Sequence, residues 1–114
     1  MAVFTEKNGA TIAKLKSLYE ANRTRYVSTL TLYEVYKLTL AHEGRAVASL
    51  RIASIRREFK NVDVNPEIAI RGAEISHKLK VPMADALIMA TSNYLRVKCV
   101  TDDPHFTEVE RTWI

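Results

Sequence analysis

The stretch Val81–Phe106, VPMADALIMATSNYLRVKCVTDDPHF, decides the fold. Pro82 opens a helix that runs to Leu95, a turn follows, and a short apolar strand from Lys98 to Thr101 ends in Asp102 and Asp103. Helix starts and strand C-terminal ends meet at one edge of an α/β sheet, the edge where such folds hold their ligands. Asp85, in the first turn of the helix, therefore comes near the carboxylates at the strand end. The sequence predicts an acidic edge.

Working outward, Thr11–Ala21 carries Ile12, Leu15, Leu18 and Tyr19 at helical spacing. Arg25–Ser28 is a short strand, and Thr31–His42 a helix that stops near Gly44. Arg45–Phe59 is a further helix with Ala48, Ile52, Ile55 and Phe59 on one face and the basic residues mostly off it. Val62–Val64 is a brief strand. Asn65 and Pro66 supply a cap and a first helical position for Pro66–Leu79, whose buried stripe is Ile68, Gly72, Ile75 and Leu79. The helix Pro82–Leu95 turns Ala84, Leu87, Ile88, Thr91 and Leu95 inward, and the closing residues ERTWI form a last short strand. Strands separated by helices require crossover connections, so the sequence predicts a three-layer α/β domain, a short parallel sheet flanked by helices, over residues 1–114.

Composition narrows the class. The chain has 114 residues, 47% of them hydrophobic and 26% charged, with three glycines and three prolines, which excludes disordered and fibrous classes. Its longest apolar runs, such as Ala86–Ala90, fall far short of the roughly 20 residues that span a bilayer. No basic, apolar, small-residue leader opens it, which points to the cytoplasm. Cys99 is the single cysteine and reads as buried filler, without a partner for a disulfide or a thiolate zinc site. Lys and Arg number 17 against 13 Asp and Glu, a net charge of +4 that is compatible with a polyanionic partner but does not require one.

Three acids fall where a parallel sheet gathers them: Glu34 early in a helix after a strand, Asp85 in the first turn of another, and Asp103 just past a strand. Crowded carboxylates repel and raise one another's pKa unless a cation neutralises them. Oxygen-only ligands with open positions suit Mg²⁺ or Mn²⁺ rather than zinc, and such an ion polarises a phosphodiester and acidifies a bound water. Each acid also has a purely structural role open to it. Glu34 follows Thr31 by three, the spacing of a capping box. Asp85 suits the positive end of a helix dipole, and Asp102, Asp103 and Pro104 make an ordinary turn. Ser28 and Thr29 stand where hydroxyls either cap a helix or bind phosphate. His42 and His77 read as solvated. Tyr33 and Tyr36 flank Glu34, where Tyr33 can stack on a base but core packing is the simpler expectation.

Two phrases add a resemblance. VSTLTLYEVYKL resembles the second motif of PIN-domain ribonucleases, a strand, a Ser or Thr, then a helix with an acidic ligand. VPMADALIMATSNYLRVKCVTDDPHF resembles their third and fourth motifs, an Asp-Ala-Leu-Ile-like helix start and a strand ending in Thr-x-Asp-x-x-Phe. The resemblance covers roughly Val3 to the end. It implies Glu34, Asp85 and Asp103 as Mg²⁺ ligands, with Asp102 in a variable position, and a metal-dependent endoribonuclease, often the VapC-type toxin of a toxin–antitoxin pair. The partners it implies are RNA, an antitoxin protein and a second copy of the chain, since family members commonly pair through their helices.

The chain departs from that pattern twice. His105 stands two residues after Asp103, where many relatives carry a further acid; it can bind metal or phosphate, or merely cap a loop. Relatives also open with a hydrophobic strand ending in an Asp ligand, whereas Met1 leads into AVFTEKNG, which resembles the segment just after that strand. The expectation is an N-terminally truncated domain lacking its central strand, with weakened metal binding and activity. Each buried backbone group so orphaned costs about 1 to 3 kcal/mol, against about 5 to 15 kcal/mol of net stability. The competing classes are a non-catalytic PIN-like remnant that binds protein or RNA, and a purely structural helical subunit.

Overall fold

The computed structural model describes residues 9–22, 24–101, 105–109 and 111–113. In chain order the elements are α1 (Gly9–Ala21), β1 (Tyr26–Ser28), α2 (Thr29–Glu58), β2 (Lys60–Val62), α3 (Pro66–Leu79), α4 (Met83–Leu95), β3 (Cys99–Thr101) and β4 (Arg111–Trp113). β1 pairs in parallel with β2, Tyr26 opposite Lys60 and Ser28 opposite Val62, and β3 pairs in parallel with β4. Among the described residues the strands thus form two parallel pairs, with α2 as the crossover of the first. The architecture is α/β, mostly helical, as expected. Residues 1–8, on which the expectation of a missing first strand bears, lie outside the described residues.

β2 begins two residues earlier than its Val-rich pattern predicts. The Lys60 N–H donates to the Arg25 carbonyl at 2.7 Å, which starts the pairing there, and Val64 lies beyond the strand, exposed. Register was set by tertiary pairing rather than by side-chain preference. Arg25 also docks α1. Its Nη1 donates to the carbonyls of Tyr19 (2.8 Å) and Asn22 (2.7 Å), its Nε to the Glu58 carbonyl (3.3 Å), and its Nη2 lies 3.5 Å from the Glu58 carboxylate. The guanidinium stacks on Tyr19, 3.8 Å from the ring centroid, and the Tyr19 hydroxyl donates to Glu58.

The helix break expected near Gly44 is present: this residue has φ 85° and ψ 176°, a left-handed φ that glycine adopts without Cβ strain. The two halves of α2 fold back on each other there. Twelve residues of unbroken helix would separate Thr39 from Arg51 by about 18 Å, yet Arg51 Nη1 donates to Thr39 Oγ1 at 3.2 Å and pairs with Glu43 at 2.8 Å. Ala48, on the predicted inner face, is completely buried in this hairpin, and Ile55 is buried nearer its end.

α3 starts where Asn65 Oδ1 accepts from the Ile68 N–H at 2.8 Å, with Pro66 following as the first helical residue. Ile68, Gly72 and Ile75 are buried as predicted, and Leu79 is half-buried. Gly72 allows α4 to approach closely: a Cβ built there would stand 2.7 Å from Leu87 Cδ2 and 3.4 Å from its Cγ. α4 departs from the predicted single stripe. Pro82 is its N-cap rather than its first residue, and Ala86, Ile88, Met89, Ala90, Thr91 and Ser92 are all buried, because neighbours cover more than one face. Ala84, Leu87 and Leu95, predicted inward, are only half-buried.

The core joins these helices to β3 and the loop after it through Ile68, Ile75, Ala86, Ile88, Met89, Ala90, Cys99 and Phe106. Cys99 is fully buried, as its apolar surroundings predicted. Among the described residues no helix is long and apolar enough to cross a membrane. Gly72→Val is expected to destabilise the chain by about 1 to 3 kcal/mol, since Leu87 must leave its place against α3. Urea unfolding checks this; a midpoint within error of the parent would show that the helices do not meet as described.

Candidate active site

The edge is built from the first turns of α2 and α4. α2 starts at Ser28, an extended residue whose Oγ accepts from the Leu30 N–H at 3.2 Å. This corrects the capping-box reading of Thr31 and Glu34: the cap lies three residues earlier, and Glu34 falls in the second turn, where no orphan N–H needs it. Its carboxylate is left available for other work. Asp85 lies in the first turn of α4, half-buried, where the positive helix end favours its charge. The Gly72–Leu87 approach fixes the height of α4 and so the position of Asp85.

The two acids are near enough for their charges to interact. Burial, followed by repulsion from the Asp85 charge, pushes the Glu34 carboxyl above its ordinary range, and Lys37 one turn along opposes the shift. Asp102 and Asp103 lie outside the described residues. The residues bracketing them are firmly placed: Thr101 ends β3 fully buried, and Phe106 inserts into the core with 2% exposure. His105 is exposed in the turn, where its carbonyl accepts from the Thr107 N–H at 2.9 Å. Among the described residues no three His, Cys, Asp or Glu side chains converge as metal ligands. The Glu34 and Asp85 pair, oxygen-only and mutually repelling, has the donor chemistry that a hard divalent cation relieves.

A further carboxylate was not singled out from the sequence. Asp63 follows β2, at the same end of the β1–β2 pair as the start of α2. Thr29 Oγ1 donates to Asp63 Oδ1 at 2.6 Å and Asn61 Nδ2 donates to the same oxygen at 2.9 Å. These two hydrogen bonds hold the Asp63 carboxyl below its usual range. The Thr29 hydroxyl is thereby committed to Asp63, and Ser28 to capping. The available signal was the alternation Asn61-x-Asp63 at a strand end, common in turns and too weak to choose.

Tyr33 corrects another expectation. It is 63% exposed rather than packed in the core, with Lys37 Nζ 5.8 Å from its ring centroid, because α2 turns Thr31 and Thr39 inward instead. Tyr36 is half-buried, and His42 and His77 are exposed as read.

Comparison with known proteins places this geometry. The PIN domain family matches residues 2–112, and the chain belongs to that family. Two solved structures share its fold. A toxin–antitoxin complex from Klebsiella pneumoniae has a chain 21% identical, with a TM-score of 0.67 over 83% of this chain and 78% of that one. VapBC2 from Rickettsia felis, bound to a DNA fragment from its promoter, has a chain 14% identical, with a TM-score of 0.74 over 94% of this chain and 86% of that one. No curated protein matches the sequence.

The Glu34 shift has a thermodynamic consequence. A carboxyl raised on folding favours the protonated form, so its contribution is present below the unfolded pKa and is lost as pH rises through the folded one. Without divalent ions, Glu34→Gln should therefore melt higher than the parent at pH 7, the difference vanishing below about pH 4. A thermal melt series across that range measures it; a variant melting lower at neutral pH would contradict the crowding of Glu34 and Asp85.

Proposed function

We propose that the chain is a Mg²⁺- or Mn²⁺-dependent endoribonuclease of the VapC toxin type, with Glu34, Asp85 and Asp103 as metal ligands and catalytic carboxylates. What supports this reading is the charge repulsion between Glu34 and Asp85, two acids on separate helices, the first of which no capping role requires. Asp103 joins them in the proposal because Thr101 delivers the chain to the end of β3 two residues before it. A divalent ion bound there would neutralise the cluster, polarise the phosphodiester and acidify a water. The chain's own residues hold the ion and orient the substrate. Tyr33, exposed next to Glu34, offers a ring on which an RNA base stacks.

Family membership supports the fold, and the toxin–antitoxin complexes among the structural matches support an antitoxin partner. The α2 hairpin supports protein partners as well. Leu38 and Leu50 are 59% and 72% exposed, with Leu40 and Val47 also open to solvent, and large apolar side chains left exposed on one hairpin suit a protein interface. This hairpin is the proposed surface for the antitoxin and for homodimer formation.

Asp85→Asn is expected to abolish Mg²⁺-dependent RNA cleavage while the variant stays folded and binds RNA about as the parent does. Cleavage by the variant at the parental rate would exclude this role. A parent that binds RNA but stays uncut-competent with Mn²⁺ would instead identify the non-catalytic binding module. Sedimentation well above micromolar concentration should show a dimer that Leu50→Glu dissociates; a parental monomer there removes the dimer.

A further inference from the structure

An open groove of about 420 Å³ lies at the other end of β1 and β2 from the carboxylates. Thr24, Arg25, Arg56, Arg57, Phe59 and Lys60 line it together with Glu58. Its shape follows from the chain path: Arg25 leads into β1, the last turn of α2 carries Arg56 and Arg57, and Lys60 opens β2. β1 is three residues long, so the groove stands about 10 Å of strand away from the start of α2.

The charges in the groove divide into two sets. Arg25 and Glu58 neutralise each other, and the Glu58 carboxylate is taken up by Arg25 and the Tyr19 hydroxyl. Arg56, Arg57 and Lys60 are exposed, and none is seen with an acidic partner among the described residues. Cations in a last helical turn offset the negative end of the dipole, but that end amounts to only about half a charge, and Arg25 already holds the Glu58 carbonyl there. Three positive charges against half a negative one leave a surplus. Two Arg forks and a Lys on one concave surface match phosphate oxygens, which accept bidentate Arg bonds.

We infer that this groove binds the phosphates of single-stranded RNA that extends beyond the cleavage edge, a second anchor for the substrate on the face opposite the carboxylates. The inference rests on the nuclease reading for its substrate, but its geometry does not depend on the metal site. Arg25 shapes the groove and does not itself supply free charge. The Thr24 hydroxyl, exposed at the rim, is an additional donor to a phosphate oxygen.

The test uses the full chain, a fluorescein-labelled 20-nucleotide RNA of mixed sequence, and fluorescence anisotropy without divalent ions. The triple variant Arg56→Ala, Arg57→Ala, Lys60→Ala should bind about tenfold more weakly, and the slope of log affinity against log salt should shallow by about 2, as expected for three lost phosphate contacts on a single strand. A control with the same change in net charge, Lys14→Ala, Lys16→Ala, Arg45→Ala, alters exposed residues outside the groove and should keep parental affinity. Unchanged binding by the groove variant, equal losses in both triples, or equal affinity of the groove for poly-glutamate and RNA overturns the assignment. Cleavage is scored separately: selective loss of binding with an inactive parent keeps the groove and removes the nuclease, whereas an active parent with unaltered binding in the groove variant does the reverse.

Discussion

The close approach of α3 and α4 at Gly72 and Leu87 is the constraint on which the rest of the structure depends. Without a side chain at Gly72, Leu87 lies directly against α3, and the buried residues around it connect both helices to Cys99 and Phe106. Interiors this tightly packed transmit displacement rather than absorb it. Asp85 stands two residues before Leu87 on the same helix, so the core fixes the height of its carboxylate, whose charge acts on Glu34. Carboxylates carried on such rigid elements keep their spacing, and small misplacements of a charged group alter its interactions steeply.

The acidic edge contains two contrasting environments. Glu34 is made harder to ionise by burial and by Asp85, while Asp63 is made easier to ionise by the Thr29 hydroxyl and the Asn61 amide. One carboxylate is held in a state that a cation would relieve, and the other is already satisfied by neutral donors. Asp63 therefore works as a tether between the end of β2 and the start of α2. It holds those segments in place without competing for positive charge, so that among the described residues the electrostatic demand of the edge falls on Glu34 and Asp85.

Much of the fold was legible because helices repeat their pattern. Asn65, Pro66, Ile68, Gly72 and Ile75 specify α3 together, and Gly44 marks the reversal in α2. Three-residue strands carry no comparable period, so β2 could be placed only within two residues; the hydrogen bond from Lys60 to Arg25, between residues far apart in sequence, decides its start. α4 was legible as a helix but not in its burial, since a stripe reports one covered face and α4 has several. At the edge, Glu34 and Asp85 could be selected by motif, whereas the exposure of Tyr33 and the Thr29–Asp63 clasp depend on neighbours that one segment cannot show. Ser28 displaced Thr31 as the cap because the extended strand residue immediately before a helix is already in the conformation a cap requires.

Arg25 bears on how the domain tolerates sequence change. One planar group reaches the carbonyls of Tyr19, Asn22 and Glu58, meets a carboxylate and covers an aromatic ring. The entropy lost on immobilising a single side chain is thus shared among several contacts. A lysine could keep the charge but has no flat fork with which to satisfy divergent acceptors, so drift at this position is restricted by shape more than by charge. Because the same side chain fastens the end of α1 to the end of α2, loosening at one helix end is felt at the other, and the two behave as a single cooperative unit.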